Sequence, residues 1–392
     1  VKILFFIVFF DLLGFGLFLP VLPFFAETLG ATPTMVIWAG GAYSLGQFVA
    51  APVLGRLSDR YGRRPLLLFS LAGSVASYVL LLLADSYAML LAARLIGGIT
   101  AGNIAVAFAY VADVTKPQDR AKAMGFVASA LSLGFILGPS IGGLLGGHDA
   151  ASLRMDLVCG FAILLAAAAF VLTALRLPES RTAAERAPQA HAGSGGLALI
   201  AGSAVLLALV ALNLLVTGAG AMMESSFVLW SGRVLGYGPQ QVGLIFAFMA
   251  IITTLVQALG IGPLRKRAGE VTLMTGAVLL YAAGLFVMSL SHTLGGTLVS
   301  VSLIGVGMAI FNPCASSLVS QSATPGQRGG VIGLFQSAGS LARVLGPAAS
   351  GPLFQFAGPN APFAAGALLT APAAVIVLLV MRHRRVQAEP SR

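Results

Sequence analysis

The sequence predicts an all-α membrane protein: twelve transmembrane helices in two six-helix, pseudo-symmetric halves. Three observations predict it. Of the 392 residues, 58% are hydrophobic and only 9% are charged, with a mean hydropathy of +0.94, and a soluble surface cannot be built from that composition. The apolar runs repeatedly reach the ~20 residues that a helix needs to cross a bilayer. The charges and the Gly/Pro turns fall between those runs, and the second half of the chain repeats the first.

Taken in order, spans fall near 3–27, 36–56, 65–84, 86–112, 121–146 and 155–176. No A-x-A-like cleavage site follows the first run, so it reads as a span and not as a signal peptide. The stretch "PESRTAAERAPQAHAGSGG" has linker composition. Six further spans fall near 198–232, 240–262, 271–290, 294–321, 328–355 and 361–381. The predicted organisation is an N-terminal half at 1–177, a cytoplasmic linker at 178–196 and a C-terminal half at 197–392.

Charge sets the orientation. With the N-terminus cytoplasmic, 19 of the 23 Lys and Arg lie in loops or termini on that side. Arg154 and Arg233 lie opposite, while Arg94 and Arg343 fall within spans. The positive-inside rule therefore predicts that both termini and the linker are cytoplasmic. The net charge of +10 is a topology signal, and no nucleic-acid face is needed to explain it. The repeat is direct: "TLGATPTMV" realigns with "VLGYGPQQV", and "DRAKAMGFVASALSLGFILGP" with "QRGGVIGLFQSAGSLARVLGP". Two halves of equal orientation are the architecture expected of alternating access around a midplane cavity.

Three stretches carry a family resemblance. "GRLSDRYGRRP" (55–65) lies between spans two and three, "RLIGG" (94–98) lies in span four, and "GFVASALSLGFILGPSIGG" (125–143) lies in span five. The first closely resembles the loop signature of the major facilitator superfamily. The second resembles its fourth-span arginine motif, and the third its antiporter motif through Gly125, Gly134, Gly138, Pro139, Gly142 and Gly143. Together with "DLLGFGLFLPVLP" in span one, the chain resembles the twelve-span drug:proton antiporters, tetracycline-exporter-like branch. The resemblance implies the major facilitator fold, a bacterial inner-membrane location, a monomer and proton-coupled export of small amphipathic compounds. Tetracycline itself is not implied: those exporters carry acids within spans three and nine, whereas here Asp85 and Glu270 lie only at span ends. Other expectations consistent with the fold are export of an endogenous metabolite or siderophore, or a non-transporting sensor. An intact loop signature and glycine motif disfavour the sensor.

Physical chemistry gives each motif a role. Gly55, Asp59, Arg60, Gly62, Arg63 and Arg64 form a dense cluster at a helix end, with Asp113 of span four a candidate partner for Arg63. Asp59 is expected to sit at a helix N-terminus, such as that of span eleven, as part of a gating latch; the alternative is that the four cations Arg56, Arg60, Arg63 and Arg64 only enforce topology. In the repeat, Asp59 and Asp113 align with Arg265 and Gln321, so the cluster belongs to one half. The span-five glycines clear one helix face for close packing, which suits either a hinge or a static contact. "GPSIG" also matches a hydrolase pattern, but a membrane helix offers no strand-to-helix turn for it.

Charges at bilayer depth cost roughly 2.5–3.5 kcal/mol or more, so they are expected to face a cavity. Asp11 lies about 28 Å along its helix from Gly30, and Glu224 about 18 Å from Gly236. The proton-coupling candidates are Glu224, with Arg343 as its expected partner, and Asp11, expected near Arg94. None is duplicated in the repeat. The substrate-cavity candidates are Tyr43, Gln47, Asn103, Asn213, Met222, Met223, Phe246, Gln257, Asn312 and Gln336. A mostly apolar site with few polar groups suits amphipathic molecules better than sugars or polyanions. The histidines and the two cysteines (Cys159, Cys314) have no ligand spacing, and no nucleophile–base pair is present. No metal, cofactor or enzymatic activity is therefore expected; the partners are the lipid bilayer, a small molecule and protons.

Overall fold

The computed structural model describes residues 1–116, 118–149, 152–180, 203–260, 269–322, 328–370 and 372–373. Most of the predicted linker, the 265–267 charge cluster and the C-terminal charges lie outside the described residues. Among the described residues all regular structure is helical. Among the described residues nine helical segments, α5 and α6 taken together as one, are long and apolar enough to cross a membrane, ten if the bent first pair is one span. Described helices fall on each of the twelve predicted spans.

Span one is α1 (Lys2–Leu17) and α2 (Leu22–Thr28), bent by 43°. The bend coincides with Pro20, which lacks a backbone donor and biases its predecessor away from the helical region. Next, α3 (Pro33–Tyr61) starts on a Thr32 cap that accepts from the Met35 N–H, with Pro33 at its first position. Gly62 (φ +105°) ends it and starts α4 (Arg63–Leu82). Span four was expected to be one helix but comprises α5 (Tyr87–Thr100) and α6 (Asn103–Val114). The cause is local: "GGITAG" holds three glycines, which weaken a helix interior. Gln47 Nε2 donates to the freed Ala101 carbonyl at 3.5 Å. The half closes with α7 (Arg120–Gly146) and α8 (Met155–Arg176).

The second half holds α9 (Ala204–Leu235), α10 (Pro239–Leu255) running into a π turn at Val256–Gly260, α11 (Glu270–Leu290), α12 (Leu294–Gln321) and α13 (Arg328–Ala357). A short apolar helix, Ala361–Thr370, begins span twelve. Two compact units result. The first contains the described residues through Ser180 plus Ser231–Ala247; the second contains those up to Trp230 and from Phe248 onward. Ser231–Ala247 joins the first unit because Pro239 and Gly243 of α10 lie against Gly143 of α7.

In the first unit Leu4, Ile7, Leu67, Leu71, Ala107, Val111, Val127, Ala130 and Ala169 pack fully buried across α1, α4, α6, α7 and α8. In the second, Met274, Val278, Leu285, Ala315 and Leu318 do so across α11 and α12. The duplication reaches the backbone. The glycines with positive φ pair along the repeat as Gly30 with Gly236, Gly62 with Gly269, and Gly147 with Gly358. Ser77 Oγ of α4 donates to the Ala93 carbonyl of α5 at 2.8 Å. At the corresponding positions Ser300 Oγ of α12 donates to the Gly284 carbonyl of α11 at 2.7 Å.

Candidate functional site

The loop between α3 and α4 brings its predicted residues together around Arg63, which is only 5% exposed. Its Nε donates to Asp113 at 3.0 Å, its second guanidinium nitrogen pairs with Asp59 at 2.8 Å, and the remaining one donates to Ser58 Oγ at 2.5 Å. The expected Arg63–Asp113 pair is present. The helix N-terminus in this cluster, however, is that of α4, and Glu179 occupies it. One Glu179 carboxylate oxygen accepts from the Arg63 backbone N–H at 2.9 Å, and the other from that of Arg64 at 3.2 Å. Such a carboxylate satisfies two of the helix's open donors and is stabilised by its dipole. Asp59 sits in the last turn of α3, paired with Arg63; the residues leading into span eleven, its expected helix N-terminus, lie outside the described ones.

Three further bonds hold the segment that carries Glu179. Ser180 Oγ donates to Asp113 at 3.2 Å, Tyr110 OH to the Pro178 carbonyl at 3.0 Å, and Arg64 to the Ala174 carbonyl at 2.6 Å. Pro178–Ser180 was read as the start of a linker and is instead part of the cluster. The signal was available: an acid three residues beyond Arg176, on the side that carries the arginines. Of the other cluster members, Gly62 supplies the positive φ, Gly55 is half-buried, and Arg60 is exposed with its guanidinium 5.5 Å from the Tyr61 ring. In the second unit Glu270 follows Gly269 as Arg63 follows Gly62. Its carboxylate accepts from Ser317 Oγ and Gln321 Nε2, both at 2.8 Å. A neutral–acid bond thus replaces the Arg63–Asp113 ion pair.

The glycine motif divides between two faces. A Cβ added at Gly134 would lie 2.7 Å from Leu12 Cβ, and one at Gly138 2.7 Å from Gly16 Cα. One at Gly142 would collide with the Leu17 carbonyl. These three pack α7 on α1. Gly143 points elsewhere: its added Cβ would lie 2.5 Å from the Pro239 carbonyl and 3.0 Å from Gly243 Cα of α10. Gly125 meets nothing within 4 Å, so its place in the motif has no packing explanation here. Pro139 is buried within α7.

At membrane depth the first unit holds a polar group between α1, α3, α4, α5 and α6. Asp11 accepts from Ser74 Oγ at 3.3 Å, and the Asn103 side chain lies beside the same carboxylate. Arg94 is 4% exposed. Among the described residues no carboxylate lies within ion-pair distance of it, so the expected proximity of Asp11 does not become a salt bridge. Its Nε has no hydrogen-bond partner, and neither has Asn103 Oδ1. What Arg94 does touch is aromatic: its guanidinium carbon lies 4.8 Å from the Tyr43 ring centroid and 5.7 Å from that of Phe15. Each such contact contributes about 0.5–2 kcal/mol, against about 1–3 kcal/mol for each buried donor left unmet.

In the second unit Glu224 and Arg343 are both exposed. No ion pair within 4.0 Å joins them among the described residues, although Arg343 is near enough to act electrostatically on the Glu224 carboxylate. Several cavity candidates are committed to packing. Asn213, 5% exposed, donates to the Phe335 carbonyl at 2.7 Å and accepts from Thr217, tying α9 to α13. Met222, Met223 and Phe246 are buried, so they are core and not open lining. Gln47 holds the α5–α6 break. Gln257 (on the π turn), Asn312 and Gln336 are exposed, and Tyr43 is half-buried against Arg94.

The helices, their duplication and the charges they carry at depth define a multi-pass membrane transporter. Known proteins agree. The Major Facilitator Superfamily model matches residues 4–323 and again 210–392. Major facilitator superfamily domain-containing protein 10 of Homo sapiens is 31% identical over 408 residues, covering 90% of this chain and 87% of that protein. Tetracycline resistance protein, class C, of Escherichia coli is 30% identical over 343 residues, covering 86% and 85%. The crystal structure of the human organic anion transporter MFSD10 (TETRAN) matches with a TM-score of 0.71 at 28% identity, covering 96% of this chain and 98% of that one. This chain belongs to the major facilitator superfamily. It is a transporter of that fold and not an enzyme.

Proposed function

We propose that the chain is a proton-coupled antiporter that exports small amphipathic organic compounds by alternating access. In this reading it works as a monomer in a bacterial cytoplasmic membrane, with both termini cytoplasmic. The observation that carries the reading is Glu224. It lies in the apolar helix α9, is exposed, and has no hydrogen bond or ion pair among the described residues. A structural acid at bilayer depth would be held by partners; an acid left open is suited to exchanging protons. Similarity to a tetracycline resistance protein supports export of an organic compound. Similarity to an organic anion transporter favours a second reading in which the exported compound, drug or endogenous metabolite, is an anion.

The test is purified protein in liposomes with an imposed pH gradient, screened against dyes, antibiotics and organic acids. Glu224→Gln mimics the protonated acid permanently. Uphill export should disappear while substrate binding and downhill exchange persist. Gradient-driven export at the wild-type rate would remove Glu224 from the mechanism and leave Asp11 as the proton site.

A further inference from the structure

Two buried arginines in the first unit have opposite surroundings. Arg63, 5% exposed, spends its guanidinium on Asp59, Asp113 and Ser58. Arg94, 4% exposed, makes no hydrogen bond or ion pair among the described residues. A guanidinium offers five donors in a fixed fork and stays charged in proteins, so those donors need an acceptor that the chain itself does not supply. Asp11 is not that acceptor, because Ser74 and Asn103 engage it and it lies beyond ion-pair range of Arg94. The neighbours of Arg94 are aromatic faces. Tyr43 and Phe15 lie beside the guanidinium, their rings 4.7 Å apart and tilted by 40°, and Phe15 continues to Phe135 at 6.3 Å. Asn103 adds an unpartnered buried carbonyl oxygen from α6.

We propose that Arg94 is the anchor for the acidic group of the transported compound, and that the substrate class is the small aromatic monocarboxylate. The carboxylate supplies two acceptors in the geometry of the guanidinium fork. The ring packs against Phe15 and Tyr43, whose faces and edges receive another aromatic group. A single cation excludes polyanions, because the other Lys and Arg of this half lie at span ends or in loops and not at the depth of Arg94. The assignment rests on the exporter reading above and narrows its substrate.

The experiment is equilibrium binding to the full chain in nanodiscs of neutral lipid, without a pH gradient. The probes are 2-naphthoate and its uncharged isostere 2-naphthamide, with empty nanodiscs subtracted. The carboxylate should bind at least tenfold more tightly than the amide. Arg94→Gln should bring the two within about twofold of each other, and Arg94→Lys should keep part of the preference. Arg56→Gln, at an exposed loop position, should leave it intact. Where Arg94→Gln does not fold, phenylglyoxal modification of the wild-type protein replaces it: naphthoate, and not naphthamide, should protect Arg94, read by peptide mass spectrometry. Equal affinity for the two probes, no binding of either, a preference that survives Arg94→Gln, or modification of Arg94 unaffected by naphthoate would each overturn the assignment. Because no gradient is used, its failure leaves proton-driven export standing. Loss of proton-driven export with naphthoate binding intact would sink only the exporter reading.

Discussion

Replacing Gly138 by alanine tests whether the contact between α1 and α7 is as close as the structure places it. The new Cβ would lie 2.7 Å from Gly16 Cα and 3.0 Å from the Leu13 carbonyl oxygen. Both are backbone atoms, so no rotamer change relieves the clash. Carbon atoms pack best about 3.5–4.0 Å apart, so the helices must part by about 1 Å along that line. Overpacking of this kind typically costs about 1–3 kcal/mol, while alanine regains about 1 kcal/mol of helix propensity over glycine. The net expectation is a loss of about 0–2 kcal/mol. Gly125 lies on the same helix, and a Cβ there meets nothing within 4 Å, so Gly125→Ala should stabilise by up to about 1 kcal/mol. The two variants should therefore differ by about 1–3 kcal/mol in the same direction. Equilibrium unfolding of the micelle-embedded protein in SDS measures the difference, and initial transport rates on the same preparations show whether turnover falls further than the folded fraction. Gly138→Ala as stable as Gly125→Ala would refute the packing argument.

The polar clusters give three further expectations. Glu179→Gln keeps the shape and removes the charge at the α4 N-terminus; it should cost about 0.5–2 kcal/mol and speed amide hydrogen exchange at Arg63 and Arg64, and unchanged exchange would mean that the carboxylate does not cap. Arg63→Met leaves Asp59 and Asp113 without their cation and should destabilise by on the order of 3 kcal/mol. Arg56→Met at its exposed position should stay within about 0.5 kcal/mol, and equal costs at the two sites would reduce the cluster to a topology signal. Asp11→Asn should leave the protein folded, since an amide can still bond Ser74, so a thermal melt near wild type is expected. Collapse of the fold would assign Asp11 a purely structural role.

The spans were legible because lipid leaves the backbone few choices. Every N–H and C=O must be bonded within the segment, so long apolar runs become helices whatever their detailed order. The break between α5 and α6 was missed because hydropathy does not register it; "GGITAG" is apolar or small throughout and yet poor in helix propensity. Glu179 was missed for another reason. Its partners are backbone N–H groups, which no residue letter announces, and Gln47 hides behind the same difficulty with the Ala101 carbonyl. Arg63 and Asp113 were found because their partnership is between side chains of opposite sign near the same membrane face. For Asp11 with Arg94, and Glu224 with Arg343, residue counting gives a position along each helix but not the direction in which each side chain leaves it. Two groups at similar positions on different helices can face different neighbours: Arg94 lies against aromatic rings and Asp11 against Ser74, while Arg343 acts on Glu224 electrostatically without an ion pair.

The repeat separates what the fold needs from what the site needs. Positions that set the course of the chain are duplicated, as with Gly62 and Gly269 at the starts of α4 and α11. The helix-pairing hydrogen bond is kept as well, although its serine has moved to the partner helix, from Ser77 to Ser300. A bond that survives exchange of its donor position depends on what it holds together and not on which residue supplies it. The charges follow no such rule. Arg63 with Asp113 becomes Glu270 with Gln321, and Asp11, Arg94, Glu224 and Arg343 have no counterparts. Each buried or membrane-depth charge costs energy that packing alone does not require, and a second copy would cost as much again. Their confinement to single copies is what is expected when one half handles the substrate's charge and the other the proton, within a scaffold whose two halves otherwise remain interchangeable.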